Sequence, residues 1–310
     1  MLYVFPDYYK EFKCISSECR HNCCIGWEID IDPDTDEFYR SVDGELGECL
    51  KNSISRDGEP HFILGEGERC PFLRDDNLCR IICELGEDSL CSICADHPRF
   101  RCELPGRIET GLGLCCEAAG RLILGKKEKT YLTYSGEGES EDEIIELRDK
   151  VTELLQSRER SIDGRVSEML SLCGSNMPEM SFKEWAEFLL SLERLDEEWT
   201  KYLLLLGNRG DEADTSAFDE YMADRQTEYE QLLVYLVYRH FANSPDYESA
   251  AARAAFAALG YELIHILGAL IYEEKDEFTI EDQVELCRLF SSEIEYSDEN
   301  LYEIIDLMYD

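Results

Sequence analysis

Cysteines are the residues whose type and spacing carry the clearest chemistry in this chain. Thirteen of the 15 lie at or before Cys116. Cys14, Cys19, Cys23 and Cys24 form one cluster, and Cys70, Cys79 and Cys83 a second. Cys91, Cys94 and Cys102 form a third, followed by the pair Cys115-Cys116; Cys49 stands apart. Thiolates held together repel one another unless a cation shares their charge, and a metal lowers the thiol pKa as it takes up that charge. The pattern therefore predicts a thiolate-held metal centre, since a disulfide framework needs an oxidising compartment. Spacing leaves zinc and iron–sulfur both open. Only Cys91 and Cys94 make a Cys-x-x-Cys pair, whereas structural zinc usually shows two such pairs. The vicinal pairs Cys23-Cys24 and Cys115-Cys116 are awkward for one tetrahedral ion, and irregular spacing suits a larger inorganic core approached from several loops. Cys173 and Cys287, alone in helical patterns, read as small buried hydrophobes.

The elements that must position these thiols divide the chain in two. Residues 1–125 are rich in turn signals such as Asp43-Gly44, Asp57-Gly58 and Gly65-Glu66-Gly67. Trp27 to Asp32 alternates apolar and acidic residues and predicts a short strand. Asp75-Asp76-Asn77 is turn chemistry between two cysteines. After Lys126 helical periodicity takes over, first from Ser140 to Leu155 through Ile144, Ile145, Leu147, Val151 and Leu154. Ser181 with Glu184 predicts a capping box. Further helices are expected over 226–242 and 249–272, then after caps at Thr279 and Ser297. The expected fold is mainly α: a Cys-rich, loop-dominated metal-binding segment, 1–125, packed on a bundle of about six helices, 126–310.

Composition narrows the partners. The chain carries 69 Asp and Glu against 30 Lys and Arg, a net charge of −39. Nucleic acid is excluded as a natural partner, because phosphate binding needs clustered basic residues. A basic partner is favoured in encounter, although acidity also serves solubility alone. The opening residues lack the basic and apolar regions of a signal peptide. The most apolar stretch, Ala251 to Tyr272, is interrupted by Arg253, Glu262 and His265. It predicts a buried helix, and the expectation is a cytoplasmic protein with no membrane span.

Several blocks are similar to the flagellin lysine-N-methylase family. They are Pro6-Asp7-Tyr8-Tyr9-Lys10-Glu11-Phe12-Lys13-Cys14 with Cys19, and Cys23-Cys24-Ile25-Gly26-Trp27-Glu28-Ile29-Asp30-Ile31-Asp32. Cys70-Pro71-Phe72-Leu73, Leu78-Cys79-Arg80-Ile81 and Leu85-Gly86-Glu87 follow in the family's order. Cys94-Ala95-Asp96-His97-Pro98-Arg99, Leu114-Cys115, Glu117-Ala118-Ala119 and Arg121 to Leu124 continue it, and Phe290 to Ser297 echoes the C-terminal helix. The chain departs from the pattern at His97, Cys116 and Tyr296, where Tyr, Pro and His are usual.

The resemblance implies an S-adenosylmethionine-dependent methyltransferase acting on lysine side chains of flagellin or another lysine-bearing protein, with a 4Fe–4S cluster. The matching cysteines are Cys14, Cys19, Cys23, Cys24, Cys70, Cys79, Cys94 and Cys115; Cys49, Cys83, Cys91, Cys102 and Cys116 look like extras. Lysine methylation needs a neutral amine, positioned and desolvated, whereas a free ε-ammonium is almost wholly protonated. Within the resembling blocks Tyr8, Tyr9, Asp30 and Asp32 are the candidate catalytic residues. Trp27 and Arg99 are the candidate cofactor-binding residues. The plainer alternatives are a half-wet strand for Trp27, Asp30 and Asp32, an aromatic staple for Tyr8 and Tyr9, and a salt bridge for Arg99. His97 is either a ligand or a turn residue. No Gly-x-Gly-x-x-Gly after a strand marks a dinucleotide-type pocket. The rival functions are a non-enzymatic iron–sulfur or zinc redox-sensing protein, and a cluster enzyme modifying another peptide.

Overall fold

Side-chain caps start the helices of the C-terminal region in the computed structural model, which describes residues 1–138 and 142–309. Asp142 accepts from the Ile144 and Ile145 amides and opens the helix Glu143–Leu155. Ser140, where the periodicity begins, and the middle of the acidic loop 136–143 lie outside the described residues. Ser181 and Glu184 close a capping box at Phe182–Ser191, and Thr279 and Asp282 close another at Ile280–Phe290. Asp246 caps Tyr247–Lys275, and Ser297 caps Asp298–Leu307. Each cap satisfies an amide that the first helical turn leaves without a partner, worth about 1 kcal/mol. Helices Ile162–Cys173 and Glu197–Arg209 add to those expected from periodicity.

Two compact units emerge, Lys13–Arg99 and Met1–Phe12 with Phe100–Asp310. The division thus falls at 12/13 and 99/100, where a boundary at 125/126 was expected. The reason is that residues on both sides of the Cys-rich stretch build a sheet that turn signals alone do not reveal. Its order is Arg99–Leu104, Arg107–Leu112, Leu2–Pro6, Leu132–Gly136. Leu2–Pro6 runs parallel to Arg107–Leu112, pairing Tyr3 with Ile108, and antiparallel to Leu132–Gly136, pairing Val4 with Tyr134. The helix Glu117–Leu124, also inside the supposed metal segment, buries Ala119, Ile123 and Leu124 in the main core.

The larger unit is organised around Tyr247–Lys275. Ala250, Ala252, Ala254, Ala255, Ala257 and Ala258 are all buried, and such small side chains let neighbouring helices approach closely. Gln226–Phe241, Ile162–Cys173 and Ile280–Phe290 pack on it. By length and composition it could cross a membrane, but 89% of its apolar window is buried inside the protein. Glu109 on the sheet and Arg148 on Glu143–Leu155, each 1% exposed, form an ion pair at 2.5 Å, and Arg107 pairs with the same carboxylate.

The unit Lys13–Arg99 has a small core: Ile29, Ile31, Tyr39, Leu46, Leu50, Phe62, Phe72 and Ile81 are its principal members. Its helices are short, Pro33–Ser41, Gly44–Asn52, Arg80–Leu85 and Ser92–Asp96. Residues 27–32 do not form the expected strand. The alternation is real, with Ile29 and Ile31 buried between exposed Glu28 and Asp30. However, only Ile31 N to Pro60 O (2.7 Å) and Phe62 N to Ile29 O (3.1 Å) tie the segment to its neighbour.

Candidate functional site

Two arrangements carry chemistry, one in each unit. In Lys13–Arg99 the loops gather thiols. The Cys23 and Cys24 thiols perturb each other's titration, as do those of Cys91 and Cys94. The neighbouring Cys24 thiol brings Cys23 down to about 7, and Cys23 together with burial pushes Cys24 up. Cys91 is likewise lowered by Cys94, and Cys94 raised. Cys70, lifted to about 11 chiefly by burial, feels the charge of Cys79 and Cys91. Cys24 and Cys94 both feel Cys70, and Cys94 also feels Cys24. Cys23, Cys24, Cys70, Cys79, Cys91 and Cys94 are therefore one electrostatic group.

Cys14 is exposed and accepts from the Ser16 amide at 3.3 Å, and Cys19 donates to the His21 carbonyl at 3.1 Å. Cys115 falls in the other unit, where burial lifts it to about 12 and the Tyr296 hydroxyl contacts it. Cys91, which looked like an extra, is a member of the group. Six thiols within mutual electrostatic reach, Cys70 and Cys91 of them buried, are the donor chemistry that a cationic metal–sulfur core requires. Among the described residues, no three His, Cys, Asp or Glu side chains converge as the ligands of one ion would.

The remaining candidates are placed as follows. Asp32 caps Pro33–Ser41 through Thr35 N at 3.0 Å and accepts from Ser92 N at 2.8 Å, beside Cys91. Burial would raise this carboxylate, but those hydrogen bonds outweigh it and bring it to about 2. Asp32 is therefore built to hold the Cys91–Cys94 turn. Asp30 is exposed and bridges to His61 through its backbone. Trp27 donates from Nε1 to the Cys23 carbonyl at 2.6 Å, and its ring lies 6.1 Å from that of His97. Arg99 donates to the Ala95 carbonyl at 3.3 Å. Tyr8 and Tyr9 belong to the other unit, Tyr8 buried in the main core and Tyr9 packed on Phe5 with ring centres 5.5 Å apart.

In the larger unit the C-terminal block Phe290 to Ser297 forms something the sequence did not disclose. After Phe290 the helix widens into a π-helical turn, Ser291–Glu295, a local form often met at functional sites. Glu293 accepts from the Leu195 and Asp196 amides. Glu295 meets three residues of Gln226–Phe241: Oε2 accepts from the Tyr235 hydroxyl at 2.9 Å, and Oε1 lies 2.7 Å from His240 Nε2 and 3.2 Å from Arg239 Nε. Burial would raise Glu295, but Arg239 and the His240 bond dominate and hold it at about 2. Burial lowers His240, which Glu295 offsets only in part. The Arg239 guanidinium sits over both the Phe100 and Tyr296 rings, 4.9 and 4.5 Å from their centres. Gly113 has no room for a side chain, since a Cβ there would collide with the Tyr296 hydroxyl.

This network forms one wall of a cavity of about 240 Å³, bounded also by Phe100, Arg253, Asp298, Leu301 and Ile305. A second cavity, of about 490 Å³, is lined by Asp163, Phe182, Asp211, Tyr261, Glu262 and His265 among others. The residues of the network were missed because each reads as an ordinary helical position. One signal was present: Gln226–Phe241 places Glu228, Glu230, Gln231, Arg239 and His240 with no consistently polar face, as a helix buried all round must.

Comparison with known proteins accounts for the element that carries this network. Residues 132–310 match the FliB lysine N-methylase C-terminal domain, and the chain belongs to that family. It is 29% identical over 136 residues to the lysine-N-methylase of Salmonella typhimurium strain LT2, covering 41% of this chain and 34% of that protein. A lysine-N-methylase of Salmonella choleraesuis matches to the same extent. The flagellar biosynthetic protein FliU of Salmonella muenchen is 30% identical over 127 residues, covering 38% of this chain and 75% of that one. The aligned region spans about a third of the length of the lysine-N-methylases it matches. No solved structure matches.

Proposed function

We propose that this chain is a protein-lysine N-methyltransferase that uses S-adenosylmethionine and acts on flagellin or a similar surface-lysine protein. The observation that carries the reading is that the family match, 132–310, includes Arg239, His240 and Glu295, the buried polar wall of the smaller cavity, and the half-buried Arg253 beside them. In that reading S-adenosylmethionine, when bound, supplies an electrophilic methyl group. The chain's own part is to bind and orient both reactants, exclude water, and let the lysine lose its proton, which in solution it keeps up to a pKa of about 10.4. Tyr8, Tyr9, Asp30 and Asp32 remain the candidate catalytic residues, and Trp27 and Arg99 the candidate cofactor-binding residues. The thiols of Lys13–Arg99 are proposed to hold a 4Fe–4S cluster, with Cys23, Cys24, Cys70, Cys79, Cys91 and Cys94 the first six to test. The test is methyl transfer from labelled S-adenosylmethionine to purified flagellin by anaerobically prepared protein, read by mass spectrometry. Absence of any methyl increment on flagellin or on lysate proteins sinks the reading.

A second reading, a zinc or redox-sensing thiol module without methyl transfer, draws on the two pairs of mutually perturbing thiols. Iron, labile sulfide and zinc quantitation separates it. Stoichiometric iron and sulfide favour the cluster enzyme, and zinc without sulfide favours the module.

A further inference from the structure

Three side chains on three different helices open onto the 240 Å³ cavity with polar capacity left over. His240 is 4% exposed, yet it lines the cavity. Glu295 occupies its Nε2. No described residue pairs with Nδ1, so the imidazole is held in place with one nitrogen open. Arg253, on Tyr247–Lys275, bonds among the described residues only to Ser249, one turn away, through Nη1. It has no carboxylate partner among the described residues, although carboxylates outnumber basic side chains 69 to 30. A guanidinium left without an acid in so acidic a chain points to an external anion, and its planar fork suits a carboxylate. Asp298, at the start of Asp298–Leu307, has no cationic partner among the described residues. Arg239 is not available for the same task, because Glu295, Tyr235 and two aromatic rings occupy it.

An open guanidinium, an open carboxylate and an open imidazole nitrogen around one cavity complement a carboxylate and an ammonium on one small molecule. The apolar part of the wall, Phe100, Leu301 and Ile305, suits a short carbon chain between that head and the rest of the ligand. The cavity is below the roughly 300 Å³ at which drug-sized pockets begin, so it suits part of a nucleoside cofactor rather than the whole.

We propose that this cavity binds the zwitterionic head of an α-amino acid, with the carboxylate on Arg253 and the ammonium directed to Asp298 and His240. This rests on the methyltransferase reading, in which the cavity seats the methionyl end of S-adenosylmethionine. A free amino acid presents the same head, and the test distinguishes the two sources.

The test is calorimetric titration of the anaerobically prepared full chain with S-adenosylhomocysteine, with 5′-methylthioadenosine, which lacks the amino-acid head, and with L-methionine. Arg253→Met should weaken S-adenosylhomocysteine about 10- to 100-fold, the range expected for a lost charge-assisted hydrogen bond. It should leave 5′-methylthioadenosine unchanged. Arg253→Lys should recover part of the loss, and Asp298→Asn, at an exposed position, should weaken the same ligand without touching the fold. Loss confined to L-methionine assigns the cavity to a free amino acid and upholds the proposal. Unchanged affinity for both head-bearing ligands in Arg253→Met and Asp298→Asn overturns it. If neither nucleoside binds the wild type, the methyltransferase reading fails and L-methionine alone decides: binding lost in Arg253→Met upholds the cavity, and no binding at all overturns it.

Discussion

Glu295 is a carboxylate whose charge the fold needs. Its folded pKa, about 2, lies below the ordinary value of 4.5, so its contribution is present above about 4.5 and disappears as pH falls toward 2. Full loss amounts to at most about 3–4 kcal/mol, since each pKa unit is worth about 1.4. Glu295→Gln should therefore be less stable than wild type at neutral pH, with the gap in unfolding free energy closing between about pH 4.5 and 2. A gap that stays constant through that window would show that the carboxylate's charge is not what the variant lost. Cys287 makes the opposite case. It is fully buried and packed in the core, and burial pushes its thiol up. Cys173 is raised to about 11 by burial alone. Ala at either position should leave any metal bound by the anaerobically prepared protein unchanged and cost about 1 kcal/mol or less at Cys173. Metal lost from a variant that still folds would make that cysteine a ligand and overturn the reading.

Among the elements, the join between sheet and bundle is the most exposed to a single change. Glu109 on Arg107–Leu112 faces Arg148 on Glu143–Leu155 where neither reaches water. Removing one partner leaves a buried charge, which costs more than the pair contributes. Glu109→Ala should lower unfolding free energy by about 3–5 kcal/mol in a denaturant titration. Glu109→Ala with Arg148→Met should recover part of that loss, since Arg107 still lacks the carboxylate. If the double variant is as unstable as the single one, the penalty lies in packing or in Arg107, which loses the same carboxylate, and not in Arg148. The capping boxes at Ser181 and Thr279 are local by comparison, worth about 1 kcal/mol each.

For the molecule as a whole, the two units differ in what can hold them. The larger has a continuous apolar core, whereas Lys13–Arg99 has a small one for its length. Small cores generally need metal or covalent support. Chelation should therefore open Lys13–Arg99 to protease while the fragment from Phe100 onward persists on a gel. Equal protection of both units after chelation would argue that the thiols are not what stabilises the smaller one. The net charge of −39 acts at the same scale. If it steers a lysine-bearing partner, the apparent KM for that protein should rise with salt while kcat changes little, because charges are screened beyond about 8 Å at physiological ionic strength. A flat KM across a salt series would leave the acidity as a solubility device.

Local chemistry is legible in the amino-acid sequence by itself. Ser181, Thr279 and Ser297 announce helix starts because a cap and its amide lie within three residues of each other. Ile144, Val151, Ile304 and Met308 announce buried faces because burial repeats with the helical turn. The thiol content of the first third, and the family it resembles, are equally plain there. What only the tertiary structure decided is which distant residues meet. Leu2–Pro6 lies between strands more than a hundred residues away, so the larger unit begins at Met1 and resumes at Phe100. Asp32 becomes the staple of the Cys91–Cys94 turn across 60 residues. Glu295 finds His240 across 55 residues, and Arg253 is left without an acid among the described residues. Such pairings follow from how helices pack once their apolar faces are buried. A buried charge then takes whatever partner that packing brings, which neither spacing nor periodicity encodes.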